Sequence, residues 1–234
     1  MYMFSEIYMI GQWRMSMDIR SVTTQKRIQT GFIELLKNKS FAMCKVSDII
    51  AFAQVSKKTF YTYYNNKYEL ATAIEDNLIN GLKDSLELDR KAFISVQAKY
   101  PVDKLDKLAD TSFDHTIEFC DQHKVWFTNL LSSNGDIRLI NRIYKLGSDE
   151  ITKRLTYSFG SSYDNMKNNK PDLFLAMKKL YAHLVIDITI FWMANSQVMS
   201  IDEVKSLISI IQTQPFVKLI AYFRKAASSP KETK

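Results

Sequence analysis

The stretch KVSDIIAFAQVSKKTFYTYYNNKYEL, Lys45 to Leu70, gathers ammonium groups, hydroxyls and phenols into runs too short to bury them. Ammoniums and hydroxyls donate to phosphate oxygens and base edges, and a phenol can do so while its ring packs on a sugar or a thymine methyl. Val46, Ile49, Ile50 and Ala53 repeat at helical spacing, and Phe60 with Tyr64 does so at i, i+4. Ala53, Gln54 and Val55 make a short turn between the two, and Ser56 is placed to cap the second helix. With Phe60 and Tyr64 facing inward, Lys57, Lys58, Thr59, Tyr61, Thr62 and Tyr63 project from a helix short enough to enter a major groove.

The elements that must position this helix are also periodic. In TQKRIQTGFIELLKNKSF, Ile28, Phe32, Leu35 and Leu36 fall on one helical face. Asn66 is placed to cap a fourth helix, with Glu69 three residues on, and Ile74, Leu78, Leu82 and Leu86 mark its buried side as far as Lys99. Further helices are expected over Val102 to Gln122, Lys124 to Ser132, Ile137 to Tyr157, Pro171 to Asn195 and Ile201 to Gln212, with a last one after Pro215. Only six Gly and four Pro occur in 234 residues, too few turn-formers for a many-stranded sheet. The fold class expected is all-α, with an N-terminal three-helix helix-turn-helix head joined to a larger helical body.

The net charge of +7 is concentrated near the N-terminus. Between Arg20 and Lys67, nine basic residues (Arg20, Lys26, Arg27, Lys37, Lys39, Lys45, Lys57, Lys58 and Lys67) face only Glu34 and Asp48. This asymmetry favours a polyanion at the first quarter of the chain. Cys44 and Cys120 are too few for a disulfide framework and read as reduced thiols, and His115, His123 and His183 lack the spacing of metal ligands. No cofactor, metal site or catalytic constellation is expected. The apolar run LVIDITIFWMA is broken by Asp187, so no membrane span is expected, and the location expected is cytoplasmic.

The segment VSDIIAFAQVSKKTFYTYYNNKYEL resembles the DNA-binding signature of TetR-family transcriptional regulators, which falls here on Val55, Ser56, Thr59, Phe60, Tyr61, Tyr63, Tyr64 and Lys67. The resemblance implies that Thr59, Tyr61 and Tyr63 contact DNA from the recognition helix, beginning at Ser56. It also implies that Lys57 and Lys58 help choose bases and that Lys67 reaches a backbone phosphate. Two residues depart from the pattern. Gln54 stands where Gly is usual, and a left-handed backbone there would cost on the order of 1 kcal/mol. Lys45 replaces the usual Thr cap, exchanging a hydroxyl–phosphate contact for an ammonium one. The run LLSSNGD (Leu130 to Asp136) and the helix around Trp192 further resemble a Gram-positive subgroup that includes regulators of dihydroxyacetone-kinase operons.

These readings imply a regulator of double-stranded DNA with a near-palindromic operator. By default it is a repressor released by an effector; the alternative is a regulator or activator controlled by a partner protein. Residues 1–19 are expected to be an extension, disordered or absent from a product started at Met15 or Met17. Residues 20–66 form the head, 67–227 the effector and dimerisation domain, and 228–234 a disordered tail. LYAHLVIDITIFWM carries more apolar surface than one core-facing stripe needs, so a homodimer is expected through the late helices. Phe113, Trp126, Phe127, Tyr144, Asp187 and Trp192 are candidates for an effector pocket. Asp187 has three readings: anchor for a cationic ligand, partner across a dimer, or solvent-facing helix edge.

Overall fold

The computed structural model describes residues 3–97, 112–159, 164 and 167–213, and every element among them is helical. In order they are α1 (Met3–Leu36), a 3-10 turn (Phe41–Met43), α2 (Val46–Ala53), α3 (Lys57–Tyr63), α4 (Lys67–Gln97), α5 (Asp114–Gln122), α6 (Lys124–Leu130), α7 (Ile137–Phe159), α8 (Pro171–Ala194) and α9 (Ile201–Thr213). The helix expected after Pro215, the tail 228–234 and the stretch 98–111 lie outside the described residues. The segment expected to precede the head is the start of α1, which contains no Pro; its Gly11 and Gly31 each cost roughly 1 kcal/mol of helix propensity without ending it.

The chain divides into two compact units, residues 1–78 with 129–137, and residues 79–128 with 138–234. In the first, Ile28, Phe32, Leu35 and Leu36 of α1 are buried with Ile49 and Ala53 of α2, Phe60 of α3, Tyr64, and Leu70, Ala71 and Ile74 of α4. The i, i+3, i+4 spacing of each short helix therefore faces one small core. α1 meets α2 so closely at Gly31 that a Cβ there would lie 2.7 Å from the Ala53 nitrogen and 2.8 Å from its Cα. Because those are backbone atoms, no rotamer change relieves the overlap. Gly31→Ala is expected to cost about 2 kcal/mol of stability in urea denaturation, as α2 is wedged off α1; an unchanged midpoint would mean the two helices part freely.

The second unit is built around Leu82 and Leu86 of α4, Ile117 and Cys120 of α5, Phe127 of α6, Leu139 and Ile151 of α7, Ala182 and Trp192 of α8, and Val204 and Ile208 of α9. Its polar interior explains one departure from expectation: Ser112 and Phe113 form a turn, and the helix expected from Val102 is described only from Asp114. The buried carboxylate of Asp89 accepts the His115 N–H at 2.8 Å and the Thr116 N–H at 3.0 Å, capping α5 from another helix. Burial pushes the Asp89 carboxyl above the usual range, against the pull of these donors. Glu150 pairs with Arg90 and Arg154, and Arg154 also donates to the Ser112 carbonyl. No helix among the described residues is long and apolar enough to cross a membrane.

Candidate DNA-binding surface

The helix-turn-helix forms for local reasons. Lys45 has no side-chain acceptor to cap α2, and Asp48, three residues on, accepts the Lys45 N–H at 2.9 Å in its place. Lys39 donates to the same carboxylate at 2.5 Å, and these hydrogen bonds hold the Asp48 carboxyl below its ordinary value. α2 ends at Gln54, which adopts φ 51° and ψ 46°, the left-handed conformation that the turn demands. Arg27 donates to the carbonyls of Ala53 and Gln54 at 3.1 and 2.8 Å, placing a cation at the carboxyl end of α2. Gln54→Gly keeps this backbone bond and removes the strain. It is expected to raise stability by about 1 kcal/mol in thermal unfolding, whereas a lower melting temperature would contradict the strain argument.

α3 starts as expected: Ser56 Oγ accepts the Thr59 N–H at 3.0 Å and lies 2.8 Å from the Thr59 hydroxyl. Phe60 and Tyr64 are buried, and the Tyr64 hydroxyl accepts from Gln29 at 3.0 Å. Lys57, Lys58, Tyr61 and Thr62 are exposed, while Thr59 and Tyr63 are half-buried on the same short helix. The Tyr61 ring meets Phe60 edge-on, which fixes where its hydroxyl can reach. Lys45 is exposed at the start of α2. Asn66 caps α4 through the N–H groups of Tyr68 and Glu69, while the Glu69 carboxylate reaches back to Asn65.

Lys67, expected to reach a phosphate, is engaged within the head. Its ammonium donates to the carbonyls of Phe41, Ala42 and Cys44 at 2.8, 3.0 and 2.9 Å, and it lies over the Phe41 and Tyr68 rings. Three protons meet three main-chain acceptors, so the residue ties α4 to the connection between α1 and α2. Arg27, Lys39 and Lys37, which pairs with Glu34, are likewise engaged within the head. The basic excess is thus partly structural, and Lys45, Lys57 and Lys58 are the lysines carried by the helix-turn-helix itself.

No family model matches the chain. Over 69 residues it is 36% identical to the HTH-type dhaKLM operon transcriptional activator DhaS of Lactococcus lactis, a match spanning 28% of this chain and 37% of that relative. Among solved structures, a TetR transcriptional regulator from Streptococcus agalactiae superposes with a TM-score of 0.53 at 19% identity, covering 85% of this chain and 98% of that one. This chain has the TetR-regulator fold. A dihydroxyacetone kinase operon activator DhaS gives a TM-score of 0.47 at 18% identity, covering 88% of this chain and 98% of that one.

Within this TetR-type fold, the candidate effector residues occupy different surroundings. Phe127 and Trp192 are core residues of the second unit, Trp126 is half-buried on α6, and the Phe113 ring lies under the Arg154 guanidinium. Tyr144 stacks on His183 with ring centroids 3.9 Å apart and donates its hydroxyl to Asp187. Burial and the neighbouring Asp187 carboxylate push the Tyr144 phenol up to about 12. Asp187 is exposed in the single chain, where it accepts the Tyr144 hydroxyl. Among the described residues the buried Trp192 indole N–H meets no hydrogen-bond acceptor, a feature that sequence periodicity gave no means of finding. Cys44 and Cys120 are both buried free thiols, and burial raises Cys120 to about 12.

Proposed function

We propose that this protein is a sequence-specific DNA-binding transcriptional regulator that binds as a homodimer and acts in the cytoplasm. The observation carrying the reading is the short capped helix α3, with Lys57, Lys58, Thr59, Tyr61 and Tyr63 projecting from a head whose own core is satisfied by Phe60 and Tyr64. Lys57 and Lys58 would read bases, while Tyr61, Thr59 and Lys45 would contact the backbone. Two heads about one helical turn apart would read a near-palindromic operator. An effector, a small ligand or a partner protein, would bias the dimer between DNA-competent and incompetent arrangements.

Two signs of regulation follow. The family resemblance implies repression, whereas the relative that is 36% identical over 69 residues is named as an operon activator and supports activation. Genome-wide mapping of bound DNA, paired with transcript levels in cells lacking the protein, separates them. Near-palindromic sites whose adjacent transcripts rise on deletion indicate a repressor, and transcripts that fall indicate an activator. Bound DNA without a shared sequence would overturn the proposal.

A further inference from the structure

We propose that the turn from Leu130 to Asp136 is part of the DNA-reading machinery, with Asn134 as a positioning residue for the recognition helix; the inference rests on the DNA-regulator reading above. Although nearly a hundred residues away in sequence, residues 129–137 belong to the same compact unit as α1 to α3. The Asn134 carbonyl accepts the Phe41 N–H at 2.7 Å, and its side-chain amide donates to the Leu36 carbonyl at 3.0 Å. Leu36 ends α1 and Phe41 opens the 3-10 turn before α2, so one residue ties the end of α1 to the 3-10 turn midway along the α1–α2 connection.

The turn is built to present that residue. Ser132 Oγ donates to the Asn129 carbonyl at 2.8 Å and accepts the Asn134 N–H at 3.2 Å, while the Gly135 N–H donates to the Ser132 carbonyl at 2.9 Å. A Cβ on Gly135 would fall 1.8 Å from the Leu130 carbonyl oxygen, so the turn closes this tightly only with glycine. The Phe41 peptide is held on its N–H side by Asn134 and on its carbonyl side by Lys67, with its ring packed edge-on against Phe32 and Tyr68. Two residues, Cys44 and Lys45, separate the end of the 3-10 turn from α2, and α3 follows after a short turn. Displacing Phe41 therefore tilts the helices that meet DNA. The chain leaves this turn into α7, most of which belongs to the other unit.

The test uses the full-length chain and two duplexes of equal length, one selected by the protein from a random pool and one of random sequence. Asn134→Asp keeps the size of the side chain but turns a carboxylate towards the Leu36 carbonyl. Its affinity for the selected duplex is expected to fall about five- to tenfold, with random-duplex affinity within about twofold of wild type. Amide exchange at Phe41 and the start of α2 should accelerate without DNA. Should that variant fail to fold, Asn134→Ala, which removes the donor without adding charge, is expected to lose about threefold on the selected duplex alone. An equal loss on both duplexes, or none on either, overturns the proposal. Wild-type protein that selects no sequence sinks the regulator reading and this one together, whereas selection by wild type and variant alike sinks only this one.

Discussion

Replacing Leu180 and Leu184 together with glutamate is expected to convert a dimer into monomers and to weaken operator binding more than about a hundredfold. On α8, Leu173, Met177, Leu180, Leu184 and Phe191 are exposed, with Leu180 at 73%. Their positions advance by four, three, four and seven residues, the 3.5-residue repeat of a helix-pairing seam, and Asp187 continues the same register. Fully burying each such side chain would contribute roughly 1.5–3 kcal/mol, which a single chain forgoes. A second copy offers the matching stripe under twofold symmetry. Glutamates on both copies would bring like charges into that seam, and losing one head would remove the bivalency of the proposed dimer. Light scattering of the variant should give the monomer mass with unchanged helical content; a persisting dimer would place the interface elsewhere.

Lys67→Met is expected to cost about 3 kcal/mol of folding stability and to leave the salt dependence of DNA binding unchanged in the folded fraction. Methionine preserves the stem that packs over Phe41 and Tyr68 but strips the carbonyls of Phe41, Ala42 and Cys44 of a shared cationic donor. Hydrogen bonds to a charged group contribute more than neutral ones, and the partly buried Cys44 carbonyl loses its cationic donor while the Phe41 carbonyl keeps the Cys44 N–H at 3.3 Å. A residue reaching phosphate would behave in the opposite way, with stability intact and the salt slope reduced by about 1. Urea denaturation and binding measured at several salt concentrations distinguish the two, and the second pattern would refute the structural role.

Local chemistry was legible in the sequence, and distant partnership was not. The i, i+4 pair Phe60 and Tyr64, the Ser56 cap and the αL strain at Gln54 all follow from spacing within a few residues, and each stands in the structure as expected. Helix limits agree within a residue or two where breakers stand nearby, as at Pro171, where α8 begins. The three carbonyls of the preceding loop that converge on Lys67 left no local signal in the sequence. Gly31 carried no signal, since its need for a bare α-carbon comes from Ala53, and α5 starts where Asp89 caps it from another helix. The LLSSNGD run was visible as a pattern, but its destination at Leu36 and Phe41 depends on tertiary structure.

The central claim, that α3 reads DNA sequence in a paired arrangement, is tested most directly by letting the purified protein select duplexes from a random pool at physiological salt. The enriched sequences should share two inverted half-sites with centres about 34–36 Å apart, one turn of B-form DNA. Replacing Lys57 and Lys58 with alanine should abolish that enrichment. A pool that emerges without a common sequence, or one enriched equally by the double variant, would contradict the account.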